Sequence, residues 1–144
     1  MVANEYVDLI MANPKDVNLN NIWDRYKSSE ESVICMVGVI ALCVSLCKAD
    51  GDFTDDEYQE ILDIIPHDEK EHEYIVKLIQ EIDKNDLDAE FHAFNLKKYL
   101  SNQMMFLDFI LATMYKLALA DHVLDDEEVK VINKTKEIFY REKQ

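Results

Sequence analysis

The stretch Lys48-Ala49-Asp50-Gly51-Asp52-Phe53-Thr54-Asp55-Asp56-Glu57 closes a long apolar segment, turns, and opens an acidic, capped one. The segment before it carries Val33, Ile34, Met36, Val37, Val39, Ile40, Leu42 and Leu46 and is apolar almost all round. It is expected to be a central helix over residues 30–49, surrounded by others. Its β-branched residues compete for a strand, but length and weak alternation decide for helix. In the corner itself Asp50 can bond turn amides, and Gly51 can take the positive φ that ends a helix. Thr54-Asp55-Asp56-Glu57 fits a capping box, in which the Thr hydroxyl accepts from the N3 amide and the Glu accepts from the Thr amide. Tyr58, Ile61, Leu62 and Ile65 then make an apolar stripe that Pro66 ends.

The construction returns 71 residues later as Leu119-Ala120-Asp121-His122-Val123-Leu124-Asp125-Asp126-Glu127-Glu128. With that shift Ala41 meets Ala112, Leu46 meets Leu117, Ala49-Asp50 meets Ala120-Asp121, Asp55 meets Asp126, Glu57 meets Glu128 and Ile61 meets Ile132. Each half reads as an apolar helix, an acidic corner and a capped amphipathic helix. Two such units can pack as a pseudo-symmetric pair around one core.

The remaining segments are helical in period. Tyr6, Leu9 and Ile10 mark a first short helix that Asn13-Pro14 stops, and Leu19, Ile22, Trp23 and Tyr26 mark a second. Trp23 is expected to anchor this N-terminal arm on the core. Lys27 to Ser32 is a polar break in which Ser28 or Ser29 is a candidate cap. A helix over residues 67–83 carries Tyr74, Ile75, Leu78, Ile79 and Ile82. One over 87–100 places Phe91, Phe94 and Leu100 inward, and Ser101-Asn102 breaks it. A second strongly apolar helix, 104–120, carries Met105, Phe109, Ala112, Leu117 and Ala120, and the last points Val131, Ile132, Ile138 and Phe139 inward. The fold expected is all-α: a single bundle of about seven helices with an internal two-fold repeat. Residues 1–29 form an arm packed on the core, and 30–144 form the helical domain proper.

Composition narrows the class. At 144 residues the chain is one ordinary domain, able to bury a real core, and 49% apolar with 31% charged residues is globular rather than disordered. Two Gly and two Pro are few for a β-rich chain of tight turns. Thirty acids against fifteen bases leave a net charge of −15, which repels phosphate backbones and anionic lipid and attracts cations or basic protein surfaces. No signal peptide is visible, and the longest uncharged run, Ser32 to Cys47, is 16 residues against the roughly 20 that span a bilayer. Cys35, Cys43 and Cys47, all in that run, read as reduced thiols packed in a core, and a cytoplasmic location is expected.

The acidic corners are the chemistry-bearing candidates. Asp50-Gly51-Asp52 with Glu57 resembles the second half of an EF-hand, but Leu46 and Lys48 stand where its first side-chain ligands belong, so a standard EF-hand is rejected. Two readings compete for the corners. In one they only turn the chain and cap helices, and the domain is a structural scaffold without a metal site whose apolar or aromatic surface binds another protein. In the other Asp50, Asp52 and Glu57, with Asp121, Asp125 and Glu128 and the neighbouring Asp55 and Asp126, gather into a divalent-cation site. A basic protein partner is a third use. His67 and His72 are five apart and miss the i, i+4 spacing of a zinc-binding helix, which leaves them a surface role at a helix start. His92 lies beside an apolar stripe, and His122 lies in the second corner. No Gly-rich phosphate loop, nucleophile motif or paired-His set is present, so an enzyme is not expected.

Ala49-Asp50-Gly51, the short hydrophobic step, the Thr-x-x-Glu cap and the second Ala120-Asp121 corner together resemble the TerB-like domains. These include the tellurite-resistance TerB proteins and the related domain of the DjlA co-chaperones. The resemblance covers roughly residues 30–139, rests on Lys48 to Gly51 and Leu117 to Asp121, and departs at His122, which replaces the Gly of the first corner. It implies an all-helical domain from the cytoplasmic side of a bacterial stress-response system, a module for interaction or sensing with an acidic surface proposed to bind metal. It implies no turnover reaction. A J-domain His-Pro-Asp is missing from the chain.

Overall fold

A computed structural model of the chain describes residues 5–12, 19–25, 27–28, 30–49, 51, 53–85, 88–100, 102–119 and 125–141. These residues form eight α-helices and no strand: α1 (Glu5–Ala12), α2 (Leu19–Trp23), α3 (Ser32–Lys48), α4 (Asp55–Ile64), α5 (Glu69–Asn85), α6 (Ala89–Leu100), α7 (Met104–Ala118) and α8 (Asp126–Tyr140). The all-α expectation holds, with one helix more than the seven expected. Asn13-Pro14, Tyr26, Ser29, Leu87, Ser101 and Ala120, singled out in the sequence, lie outside the described residues, as does the Tyr6 side chain.

Helix boundaries follow local chemistry. Pro66 forces its predecessor out of the helical region, and Ile65 is extended at φ −72° and ψ 124°, so α4 stops at Ile64. Asp68 and Glu71 bond each other's backbone amides at the start of α5, and Asp88 Oδ1 accepts from Phe91 N at 2.8 Å at the start of α6. The N-cap position of α3 is Glu31, itself in helical conformation and making no side-chain cap bond, rather than Ser28; Ser29 lies outside the described residues.

The core is built between α3 and α7, which lie against each other; the buried Cys35 thiol faces Phe106 O across them at 3.9 Å. Around this pair α4 and α8 each touch both helices. α5 and α6 cover α3, while α1 and α2 cover α7. Trp23 anchors the arm as expected, its ring centroid 5.3 Å from that of Phe109. Phe106, Phe109 and Phe139 are wholly buried, each contributing about 1.5–3 kcal/mol by leaving water. Polar ties fix the periphery. Lys48 pairs with the Asp83 carboxylate at 2.6 Å and donates to its carbonyl at 2.8 Å, Lys97 donates to Phe139 O at 2.5 Å, and Tyr140 donates to Asp108 Oδ1 at 2.5 Å.

Two inward assignments are corrected. Phe91 and Phe94 stand about half exposed, and the core face of α6 is Ala93, Leu96 and Leu100. The reason is how near α6 comes to α3. A Cβ built on Gly38 would lie 2.2 Å from Leu96 Cδ2, so this contact admits small and aliphatic residues and turns the aromatic rings outward. Met105 is likewise exposed while its neighbour Phe106 enters the core. The central helix is also not surrounded on every side: Val33 is 61% and Ile34 38% exposed.

Candidate functional site

At the first corner Gly51 has φ 144°, a conformation side chains with a Cβ rarely adopt, and its N–H donates to Lys48 O at 3.2 Å. The expected helix-ending glycine is therefore in place. Thr54 is extended and caps α4: Glu57 N donates to Thr54 Oγ1 at 3.2 Å, and Thr54 N donates back to Glu57 Oε1 at 3.0 Å. The second corner repeats the box at α8, where Glu128 N donates to Asp125 Oδ1 at 2.7 Å and Asp125 N to Glu128 Oε1 at 3.4 Å. Both boxes form as the residue pattern predicted. They place Asp125 at the N-cap of α8, and Glu57 and Glu128 with Asp55 and Asp126 in the first turns of their helices, where the helix dipole favours negative charge.

Asp50, Asp52, Asp121 and His122 lie outside the described residues. Among the described residues no group of three or more His, Cys, Asp or Glu side chains is arranged to hold a metal ion. Glu57 also bears on the Cys47 thiol. Burial first, then Cys43, Glu57 and Glu60, pushes that thiol far above its ordinary range. Burial also pushes Cys43 up to about 12 and raises Cys35, and all three thiols are free and buried. They are packing groups rather than thiolate ligands. The reciprocal box also opens α5, at Asp68 and Glu71, outside either corner. Reciprocal capping bonds hold Glu57, Asp125 and Glu128 at the starts of their helices, and the same device at α5 needs no acidic corner.

A second candidate was not anticipated from sequence. A cavity of about 460 Å³ opens between α3, the end of α5 and α6. Val33, Ile34 and Val37 line one wall, His92, Asn95 and Tyr99 the other, and Gly38 and Leu96 meet beneath. Three polar side chains on a single helix thus face an apolar wall. Burial lowers His92 below its ordinary range, with Asp88 opposing in part, so its imidazole is held neutral and can donate and accept one hydrogen bond each. The available signal was α3 itself: a helix apolar on all sides in a chain of this size can leave one side for another molecule.

No helix among the described residues is long and apolar enough to cross a membrane. No curated protein and no solved structure gives a significant match to the chain. The family described as "Tellurite resistance protein TerB" matches residues 36–144, from within α3 to the end of the sequence. That is about three-quarters of the chain, and it takes in both acidic corners and one whole side of the cavity. The family expected from the two Ala-Asp corners is the one found, and the chain belongs to the TerB family of tellurite-resistance proteins.

Proposed function

We propose that this TerB domain is a non-catalytic binding module of a bacterial stress-response system, and that it acts by receiving an amphipathic helix of a protein partner in the α3–α6 groove. The groove carries this reading. Val33, Ile34 and Val37 on one helix and His92, Asn95 and Tyr99 on the other recur at the three- and four-residue spacings that complement the anchor positions of an apolar helix face. The chain's net charge of −15 favours a partner whose polar face is basic. A synthetic basic amphipathic helix, titrated into isotopically labelled protein, should shift amide signals of α3 and α6. Ile34→Glu should remove binding while leaving stability within about 0.5 kcal/mol, because Ile34 is partly exposed. Binding that survives Ile34→Glu, or shifts confined to other helices, sinks the proposal.

A second reading rests on the repeated capped corner: the two acidic turns bind a divalent cation and couple it to helix packing. The repeat supports it. Exchange of the halves would carry the α3–α8 contact onto the α7–α4 contact, and both contacts exist. Asp50, Asp52 and Glu57 with Asp121, Asp125 and Glu128 would supply the ligands, all hard oxygens suited to Ca²⁺, Mg²⁺ or Mn²⁺. Thermal unfolding with each ion and with EDTA tests it. An ion at about 100 times its dissociation constant adds roughly 2.7 kcal/mol, a gain that Asp50→Asn/Asp121→Asn should abolish. Identical curves with every ion leave the corners as caps.

A further inference from the structure

His67 and His72 sit apart from both corners and from the groove. Their spacing of five is wrong for two ligands on one helix, but they are not on one helix: His67 lies in the turn after Pro66, before α5 begins at Glu69, and His72 is in the first turn of α5. The turn brings His67 Nε2 to 3.0 Å from His72 Nδ1. The ring centroids are 5.2 Å apart with planes inclined by only 23°, so the imidazoles meet end to end, nitrogen facing nitrogen. His67 Nδ1 lies 2.7 Å from Ile65 O, which can only accept. The Nδ1 of His67 therefore carries the proton, and its Nε2 presents a lone pair. His72 Nδ1 must then be the donor between the rings.

From this geometry we infer a binding site for a borderline transition-metal ion, with His67 Nε2 and His72 Nδ1 as adjacent ligands. The hydrogen bond from His67 Nδ1–H to a backbone carbonyl is the arrangement that fixes tautomer and ring orientation in metal-binding histidines. The 3.0 Å between the nitrogens is the length of the hydrogen bond that joins the rings end to end, so the exposed His72 ring tilts off that line for both lone pairs to converge on one ion. Metal entry displaces the proton on His72 Nδ1, and the ring takes one on Nε2 from solvent, so a neutral pair binds without net proton release. Among the described residues no third protein ligand joins the two imidazoles, so water completes the coordination. Asp68 and Glu71 are held in their reciprocal cap, and with Glu69 and Glu73 they make the surroundings attractive to a cation.

Cu²⁺ titration of the full chain, followed by electron paramagnetic resonance, tests this. The expected result is one site with a two-nitrogen signature, weakened roughly tenfold or more by His67→Ala and by His72→Ala. His92→Ala, His122→Ala and Asp50→Asn/Asp121→Asn should leave it unchanged. Circular dichroism shows whether each variant is folded, and His72→Ala keeps the test valid if His67→Ala is not, because the His72 side chain is exposed. A two-nitrogen signal that persists in the folded His72→Ala protein, or that disappears with His122 or the corner aspartates, overturns the assignment.

Discussion

α3 and α7 are both apolar helices at the centre of the bundle, and both lead into an acidic, capped corner, yet they are covered to different degrees. α7 receives the N-terminal arm: Ile10 of α1 is wholly buried, Leu19, Ile22 and Trp23 of α2 nearly so, and Trp23 packs on Phe109. α3 receives α5 and α6, but α6 approaches along Gly38 and its polar His92, Asn95 and Tyr99 do not close over Val33 and Ile34. One apolar helix is thus sealed by an aromatic anchor and the other is left with an open flank. The family match begins at Met36, so it takes in α6 and the rest of α3 but neither Val33 and Ile34 nor the arm.

The largest effect should come from undoing the seal. Trp23→Ala removes the ring on Phe109 and should cost about 3–5 kcal/mol, read as a lowered denaturation midpoint in urea. A much smaller loss would mean that the arm contributes little to α7, and the contrast between the two helices would fall. The open flank can be tested from the opposite direction. Gly38→Ala places a methyl 2.2 Å from Leu96 Cδ2, and because Leu96 is itself buried the adjustment should cost about 1–3 kcal/mol. Leu96→Ala alone should cost about 2–5 kcal/mol, and the double variant should fall short of the sum by about 0.5–3 kcal/mol, since the shortened side chain makes room for the methyl. Additive losses would show that α6 moves away from α3 as a unit and that Gly38 does not set the groove floor.

Much of this arrangement was legible before any coordinates. The two capping boxes follow from hydroxyl or carboxylate at one position and Glu three later, and they form at Thr54–Glu57 and Asp125–Glu128 because that chemistry is local. Trp23 was legible for a similar reason, as a large apolar ring with no other use in a short arm. What was missed depends on relations between elements. The outward turn of Phe91 and Phe94 is set by how near α6 comes to α3, which a helical period does not encode. The His67–His72 contact depends on a proline turn joining two elements, where the spacing rule for a single helix does not apply. Of the six carboxylates singled out, Glu57, Asp125 and Glu128 are seen to cap helices. Asp50, Asp52 and Asp121 lie outside the described residues.

The two corners differ more subtly than the two helices, and that difference decides between capping and cation binding. Thr54 caps α4 through a neutral hydroxyl at 3.2 Å, while Asp125 caps α8 through a carboxylate at 2.7 Å in a partly buried setting. A charged acceptor at a helix N-terminus makes the stronger bond. Thr54→Ala should therefore cost about 0.5–1 kcal/mol and Asp125→Ala about 1–2 kcal/mol, both by urea denaturation. Thr54→Asp should narrow the gap by giving the first corner the acceptor of the second. If these residues only cap, each deficit is the same with EDTA as with Mg²⁺ or Ca²⁺. If the second corner also holds a cation, the Asp125→Ala deficit grows with ion concentration while the Thr54→Ala deficit does not, because a hydroxyl lost from the first box removes a cap and no carboxylate.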